Sequence, residues 1–199
     1  NQMKKSRFMS MQRLIQTSLK LSLSLVFSVL VFAGTTQAAI RYVNPDTGDD
    51  MALANDCTNI SSPCATIYNA QSQASDGDTI DLAAGIYSGA GTAVTKALNF
   101  VGVGNSTELR DIGPVMLNAG IVGATELRFQ DLKITFEGNS TAYLNLTDGS
   151  GLSGGVVFDN VTFDYSGNMV AGYCIAVQSG VTKVTIQNST IVDCSDSGS

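Results

Sequence analysis

The chain of 199 residues contains no histidine and no tryptophan, has only three prolines, and devotes 14% of its positions to charged side chains. Each shortage excludes something. Without imidazole there is no Ser-His-Asp or Cys-His nucleophile system, no imidazole general base and no His-ligated metal within these residues. Cysteine is sparse as well, with four residues and no C-x-x-C, so a zinc signature is excluded too. Any chemistry here rests on carboxylates, on lysine and arginine, or on a hard cation held by oxygen.

Acid is missing from the N-terminus. Lys4, Lys5, Arg7, Arg13 and Lys20 supply all the charge of residues 1 to 38, and LSLSLVFSVLVFAG follows at 21 to 34. That apolar run falls short of the roughly 20 residues a membrane span needs. It leads into Thr36-Gln37-Ala38, which puts small residues at the two places a signal peptidase reads. The pattern is a secretory signal over residues 1 to 38, cleaved after Ala38 or Ala39, with a basic start and T-Q-A-A ending of bacterial type; an uncleaved membrane anchor is the alternative. Cleavage leaves six basic residues against all 17 acids, a net charge of −11. Such a field disfavours nucleic acid and anionic membrane as partners, and favours solubility or cation binding. The expected location is therefore secreted or at the cell surface, with no membrane span after cleavage.

A strand cassette occurs three times in the second half: LRFQDLKITF at 127 to 136, VVFDNVTFDY at 156 to 165 and VTIQNSTIVD at 184 to 193. Phe129, Phe158 and Ile186 hold equivalent places, at steps of 29 and 28 residues. A period in this range, with β-branched and aromatic residues alternating with polar ones and no helical pattern between copies, specifies an all-β solenoid. Three strand-like pieces per coil are separated by Gly, Asn, Ser and Asp clusters. The inward set is Phe129, Leu132, Ile134, Leu144 and Leu146 in one coil and Phe158, Val161, Phe163, Ile175 and Val177 in the next. Equivalent residues stack about 4.8 Å apart. Each buried side chain contributes roughly 1.5 to 3 kcal/mol, realised only against neighbouring coils.

Residues 39 to 78 read as an N-terminal lead-in loop and capping helix, and 79 to 199 as the first, incomplete series of coils. Arg41 to Asn44 forms a short strand, and a loop rich in Asp, Gly and Asn follows. Cys57 and Cys64 in CTNISSPC close that loop with a disulfide in a secreted chain. A brief helix then starts near Pro63 and aligns Ile67, Ala70 and Ala74 on one face. Ile80 and Leu82 alternate inward in the strand TIDL. Cys174 and Cys194 are a second candidate pair, although the repeat alignment sets Cys194 opposite Ser166, eight residues short of Cys174.

The segments YVNPDTGDD and CATIYNAQSQASDGDTIDLAAGIYSG, with the later LNFVGVGN, resemble the start of secreted right-handed parallel β-helix proteins of the pectin-lyase-like superfamily. Residues 41 to 104 carry the likeness, and the cassettes extend it more weakly to 193. The resemblance implies a right-handed parallel β-helix with a short N-terminal capping helix. It also implies truncation at the C-terminus, with further coils expected downstream of SDSGS. The superfamily includes lyases, hydrolases, epimerases, adhesins and surface proteins, so the fold does not choose an activity. Its lyases use a basic proton acceptor beside calcium-binding acids, for which Lys96, Arg110, Arg128, Lys133 and Lys183 are the candidates here. Arg128 and Lys133 flank Asp131, yet positions 157 and 162 carry no second base. The Asp-rich and His-bearing motifs of its polygalacturonases and pectate lyases are absent from residues 39 to 199.

Two polar columns remain. Asp131, Asn160 and Asn188 form one, while Gln130, Asp159 and Gln187 form the other. Paired carboxylates at coil spacing can hydrolyse glycosides or hold calcium, but Asx residues at a repeated turn are expected to form a hydrogen-bonded ladder. No catalytic residue is assigned, and calcium is the one cofactor in view. GSGLSGG at 149 to 155 satisfies G-x-G-x-x-G, but a strand follows where a dinucleotide site needs a helix. Six sequons occur, at Asn59, Asn105, Asn139, Asn145, Asn160 and Asn188, and the same Asn-turn chemistry accounts for most of them. The expected function is a non-catalytic module, adhesin-like or structural, whose partner is a polysaccharide or cell-surface glycan. The alternative is the N-terminal part of an extracellular polysaccharide lyase or glycoside hydrolase acting on acidic polysaccharide.

Overall fold

The computed structural model describes residues 37–51, 55–88, 94, 96–110, 126–137, 144–146, 155–167, 174–177 and 183–194. Residues 1–36, which hold most of the expected secretory signal, and the glycine run at 149–154 lie outside the described residues, and the elements below all belong to the unit Ala38–Ser199.

The repeat is the register. Strands β6 (Leu127–Glu137) and β8 (Val156–Gly167) each run through a whole cassette, and the third cassette supplies β10 (Val184–Gln187) and β11 (Thr190–Val192). Phe129 pairs with Phe158, and Phe158 with Ile186, so the 29- and 28-residue steps are the parallel offsets themselves. One arm of the sheet runs through β1 (Ile40–Val43), β2 (Thr79–Leu82), β4 (Asn99–Val101), the first halves of β6 and β8, and β10. The other takes β3 (Gly85–Ser88), β5 (Thr107–Arg110), the second halves of β6 and β8, and β11. Every pairing is parallel, and the path through the strands is open. Strands β7 (Leu144–Leu146) and β9 (Ile175–Val177) form a separate parallel pair.

Alternation decides the core. Ile80, Phe100, Phe129 and Phe158 occupy one inward column and are essentially buried. The Phe100 and Phe129 rings stack at 5.0 Å and the Phe129 and Phe158 rings at 5.3 Å, both nearly parallel, because in-register neighbours have no other way to face each other. Phe163 meets Phe158 edge-on at 5.1 Å, and Phe136 stacks on Tyr165 at 4.5 Å. Leu132, Ile134 and Val161 fill in beside them.

The expected inward set departs from this picture at one end. Ile175 is half-buried, and Val177 is 52% exposed although its register partner is Leu146. Its position alternates inward, but among the described strands nothing pairs with the far side of β9.

The other end is closed. Helix α1 (Ile67–Gln73) packs on β1 and β2 with Ile67, Ala70 and Ala74 buried. Thr66 starts it rather than Pro63, because Thr66 Oγ1 accepts the Asn69 N–H and so satisfies one of the first-turn donors. Lys96 Nζ donates to the carbonyls of Gln71, Ser72 and Ala74 and closes the C-terminal end. The Cys57–Cys64 disulfide is formed and fully buried, and its loop is strapped to β1 by Tyr42 N–H to the Cys57 carbonyl, 2.7 Å, and Cys64 N–H to the Tyr42 carbonyl, 2.9 Å.

Phe129 has an aromatic ring on each side, so Phe129→Ala leaves a cavity that neither neighbour can collapse into. A loss of about 3 to 5 kcal/mol is expected. Urea denaturation measures it, and a loss under about 1 kcal/mol would mean that the ring column does not carry the core.

Candidate functional site

The polar columns meet at the corner between the two arms. To pass from one arm to the other within a single continuous strand, the chain needs one residue in the left-handed region, which Asn and Asp enter at least cost among residues with a Cβ. Asp131, Asn160 and Asn188 have φ of 53°, 55° and 53°. One rung back the turn is wider and uses glycine. A Cβ on Gly102 would meet the Asp131 carbonyl oxygen at 2.5 Å, so the approach of the next repeat forbids any side chain there.

Side-chain bonds cross between rungs at this corner. Asn160 Nδ2 donates to Asp131 Oδ1 at 2.6 Å, and Gln130 Nε2 donates to Asp131 Oδ2 at 2.9 Å. The ladder is not straight, however. Asn188 Nδ2 reaches diagonally to Asp159 Oδ1 at 2.9 Å, while Gln187 Nε2 takes Asp159 Oδ2 at 2.8 Å along the register. Arg128 adds a 3.4 Å contact to the same Oδ2. Hydrogen bonds from Asn188 and Gln187, helped by the Arg128 charge, hold the Asp159 carboxyl below its ordinary value. The carboxylates of Asp131 and Asp159, one from each column, are thus engaged at both oxygens.

A second cluster lies on the outer side of the other arm. Lys133 Nζ sits 3.2 Å from Glu108 Oε2 and 3.8 Å from Asp164 Oδ2, and Arg110 holds Glu108 Oε1 at 3.0 Å. Burial pushes the Glu108 carboxyl up, but the neighbouring Thr135, Lys133 and Arg110 side chains outweigh it and leave the group below its usual value. Asp164 is lowered by hydrogen bonds from Ser166, with Lys133 assisting. The sequence signal for this cluster was present but weak. Glu108 and Lys133 are register partners 25 residues apart, a shorter step than that of the cassettes.

The candidate bases are accordingly placed. Lys96 caps α1, Arg110 and Lys133 bind Glu108, and Arg128 bridges Glu126 and Asp159. Lys183 is exposed at the foot of β10, where its carbonyl accepts the Val156 N–H. Among the described residues no group of His, Cys, Asp or Glu is arranged to hold a metal ion, and no helix is long and apolar enough to cross a membrane.

The Cys174–Cys194 disulfide is formed, so all four cysteines are bonded. The carbonyl of Cys174 also receives the Tyr165 hydroxyl. Alignment to Ser166 placed this pair out of register because the bond joins the residue before β9 to the second residue after β11, a contact between successive repeats. The sequons divide. Asn59 and Asn105 are exposed, Asn160 and Asn188 are spent as donors in the corner, Asn145 lies in β7, and Asn139 is outside the described residues.

A buried hydroxyl near the closed end had no sequence signal. The Tyr87 hydroxyl lies 3.0 Å from the carbonyl oxygens of both Val43 and Ala83. Burial, with the charges of Asp46 and Asp81, pushes its ionisation far upward, and burial alone raises Asp81.

No protein family, curated protein or solved structure matches this chain. Its reading therefore rests on geometry.

Asn160 tests the corner. Asn160→Gly keeps the left-handed backbone and loses the bond to Asp131, an expected cost of about 0.5 to 1.5 kcal/mol; Asn160→Ala adds about 1 to 2 kcal/mol of strain. Thermal denaturation should rank wild type above Gly above Ala, and the reverse order of the two variants would remove strain from the account.

The acids give a pH dependence of defined sign. Asp159, Asp164 and Glu108 titrate lower folded than unfolded, so their contribution is complete above the unfolded carboxylate range. It is lost as pH falls through the folded values, below about pH 4. Asp81 runs oppositely and weakens the fold as it ionises. Melting temperature recorded against pH should fall on the acid side, and Asp159→Asn should flatten that fall. An unchanged acid slope in the variant would contradict the assignment.

Proposed function

We propose that this chain is a non-catalytic secreted or cell-surface module, adhesin-like or structural, built as a right-handed parallel β-helix whose acidic outer face meets glycans or proteins. One observation carries the reading. Asp131, Asp159, Glu108 and Asp164, with Arg128 and Lys133, are bonded to side chains on adjacent repeats, and a carboxylate whose oxygens all accept hydrogen bonds is a poor general base or nucleophile. Asp131 and Asp159 accept amides from the following rung, and Lys133 joins Glu108 to Asp164 across three strands.

The parallel register supports the coil interpretation, because each pairing joins one repeat to the next and none is antiparallel. Two formed disulfides favour an oxidising compartment. The excess of acid in residues 39 to 199 favours a hydrated outer surface over a nucleic-acid or membrane contact.

Incubation with a panel of neutral and acidic polysaccharides, read by reducing ends and by absorbance of unsaturated products, should give no turnover. Immobilised glycans should retain the protein. Turnover that one point substitution abolishes would establish the enzyme reading instead.

A further inference from the structure

The outer face of the first arm is of two kinds. From β6 onward its polar side chains bond one another: Arg128 reaches Asp159 and Glu126, Gln130 reaches Asp131, and Gln187 reaches Asp159. On β1, β2 and β4 they do not. Tyr42, Thr79, Asp81 and Asn99 are half-buried and alternate with the buried Val43, Ile80, Leu82 and Phe100, which places them on the outer side. Among the described residues none of these four side chains has a hydrogen-bond or ion-pair partner.

Asp81 is the unusual member. Of the strand carboxylates whose side chains are described, Glu108, Asp131, Asp159 and Asp164 are each bonded to a side chain on another strand, and Asp81 alone is not. Burial raises its carboxyl, and no basic side chain offsets the effect. Its register partners are Tyr42 on one side and Val101 on the other, each about 4.8 Å away across the sheet. A half-buried charge without a partner lowers stability, and such positions concentrate where a protein meets a ligand.

Three properties set what fits there. The backbone is fully paired, since β2 lies between β1 and β4 and the far side of β1 is taken by Cys57 and Cys64, so a peptide has no edge on which to add a strand. The one charge is an anion, within residues 39 to 199 that carry −11, which disfavours uronate polymers and attracts a cation. Tyr42 sets an aromatic ring beside that anion, and an ammonium gains from both, by ion pairing to the carboxylate and by cation–π attraction to the ring. Thr79, Asn99 and the Tyr42 hydroxyl supply neutral partners for sugar hydroxyls.

We infer that the outer face of β1, β2 and β4 binds an amino-sugar unit of a glycan, with its ammonium between Asp81 and Tyr42 and its hydroxyls on Asn99 and Thr79. This rests on the glycan reading above and narrows it to sugars with a free amine.

The probe is a glucosamine tetramer, titrated calorimetrically into the full chain at about pH 6, where a sugar amine is charged. It should bind, its N-acetylated counterpart should bind about tenfold more weakly or less, and a galacturonate tetramer should not bind. Asp81→Asn should lower affinity about tenfold and leave the melting temperature unchanged or raised, because it removes an unpaired charge without changing the side chain's shape. Tyr42→Leu should also weaken binding, whereas Asp159→Asn, on the bonded part of the face, should not. Equal affinity for the two glucosamine tetramers, or wild-type affinity in Asp81→Asn, overturns the proposal and leaves the glycan reading standing. A lysine tetrapeptide that binds where the sugar does not overturns it too, since the partner would then be a protein. If no glycan of the polysaccharide panel is retained either, the proposal falls together with the reading beneath it.

Discussion

Everything in this molecule depends on parallel identity of register. When a repeat is laid on its predecessor with zero slip, every side chain meets its own equivalent, and only residues that tolerate that self-contact can remain. Aromatic rings can, by stacking flat at about 5 Å, as Phe100, Phe129 and Phe158 do. Asn and Asp can, because an amide donates where a carboxylate accepts. Like charges cannot, and the outer face shows the consequence: Glu108 faces Lys133 in register, and Lys133 reaches diagonally to Asp164 on the next strand.

The corner is where this constraint is most exacting. A turn of several residues would let successive repeats drift in register, whereas one left-handed residue fixes the angle between the arms and returns the chain to extended backbone at once. Strands β6 and β8 can therefore be continuous over 11 and 12 residues while serving both arms. The diagonal bond from Asn188 to Asp159 shows that the corner amides are satisfied by whichever acid lies within reach, straight above or one place aside.

Much of this was legible in the sequence, because strands with a fixed repeat announce their partners. The offsets of 29 and 28 gave the pairing of Phe129, Phe158 and Ile186, and the alternation gave the burial of Leu132, Ile134, Val161 and Phe163. The closed end was legible in outline, through Cys57, Cys64 and the narrow stripe of α1. What stayed hidden depends on tertiary neighbours. Lys96 as the C-terminal closure of a helix some 20 residues earlier follows no local rule. The bond of Cys174 to Cys194 was legible as a candidate pair, and the structure forms it across successive repeats. Glu108 with Lys133 escaped because the wider glycine turn shortens the step to 25. Val177 was misjudged for a different reason: alternation tells which way a side chain points and is silent on whether anything lies there.

The Cys174–Cys194 bond also has a mechanical meaning. Hydrogen bonds between repeats run along the direction of stacking, so tension in that direction would peel strands away one repeat at a time and lengthen the chain with each. The bond closes a sequence separation of 20 residues at a Cα distance of 5.9 Å. It thereby withholds about 60 Å of contour from extension, at roughly 3.4 Å per residue. Tension applied beyond Cys194 would then pass through that covalent tie toward β8 and the aromatic column before β10 and β11 could unravel.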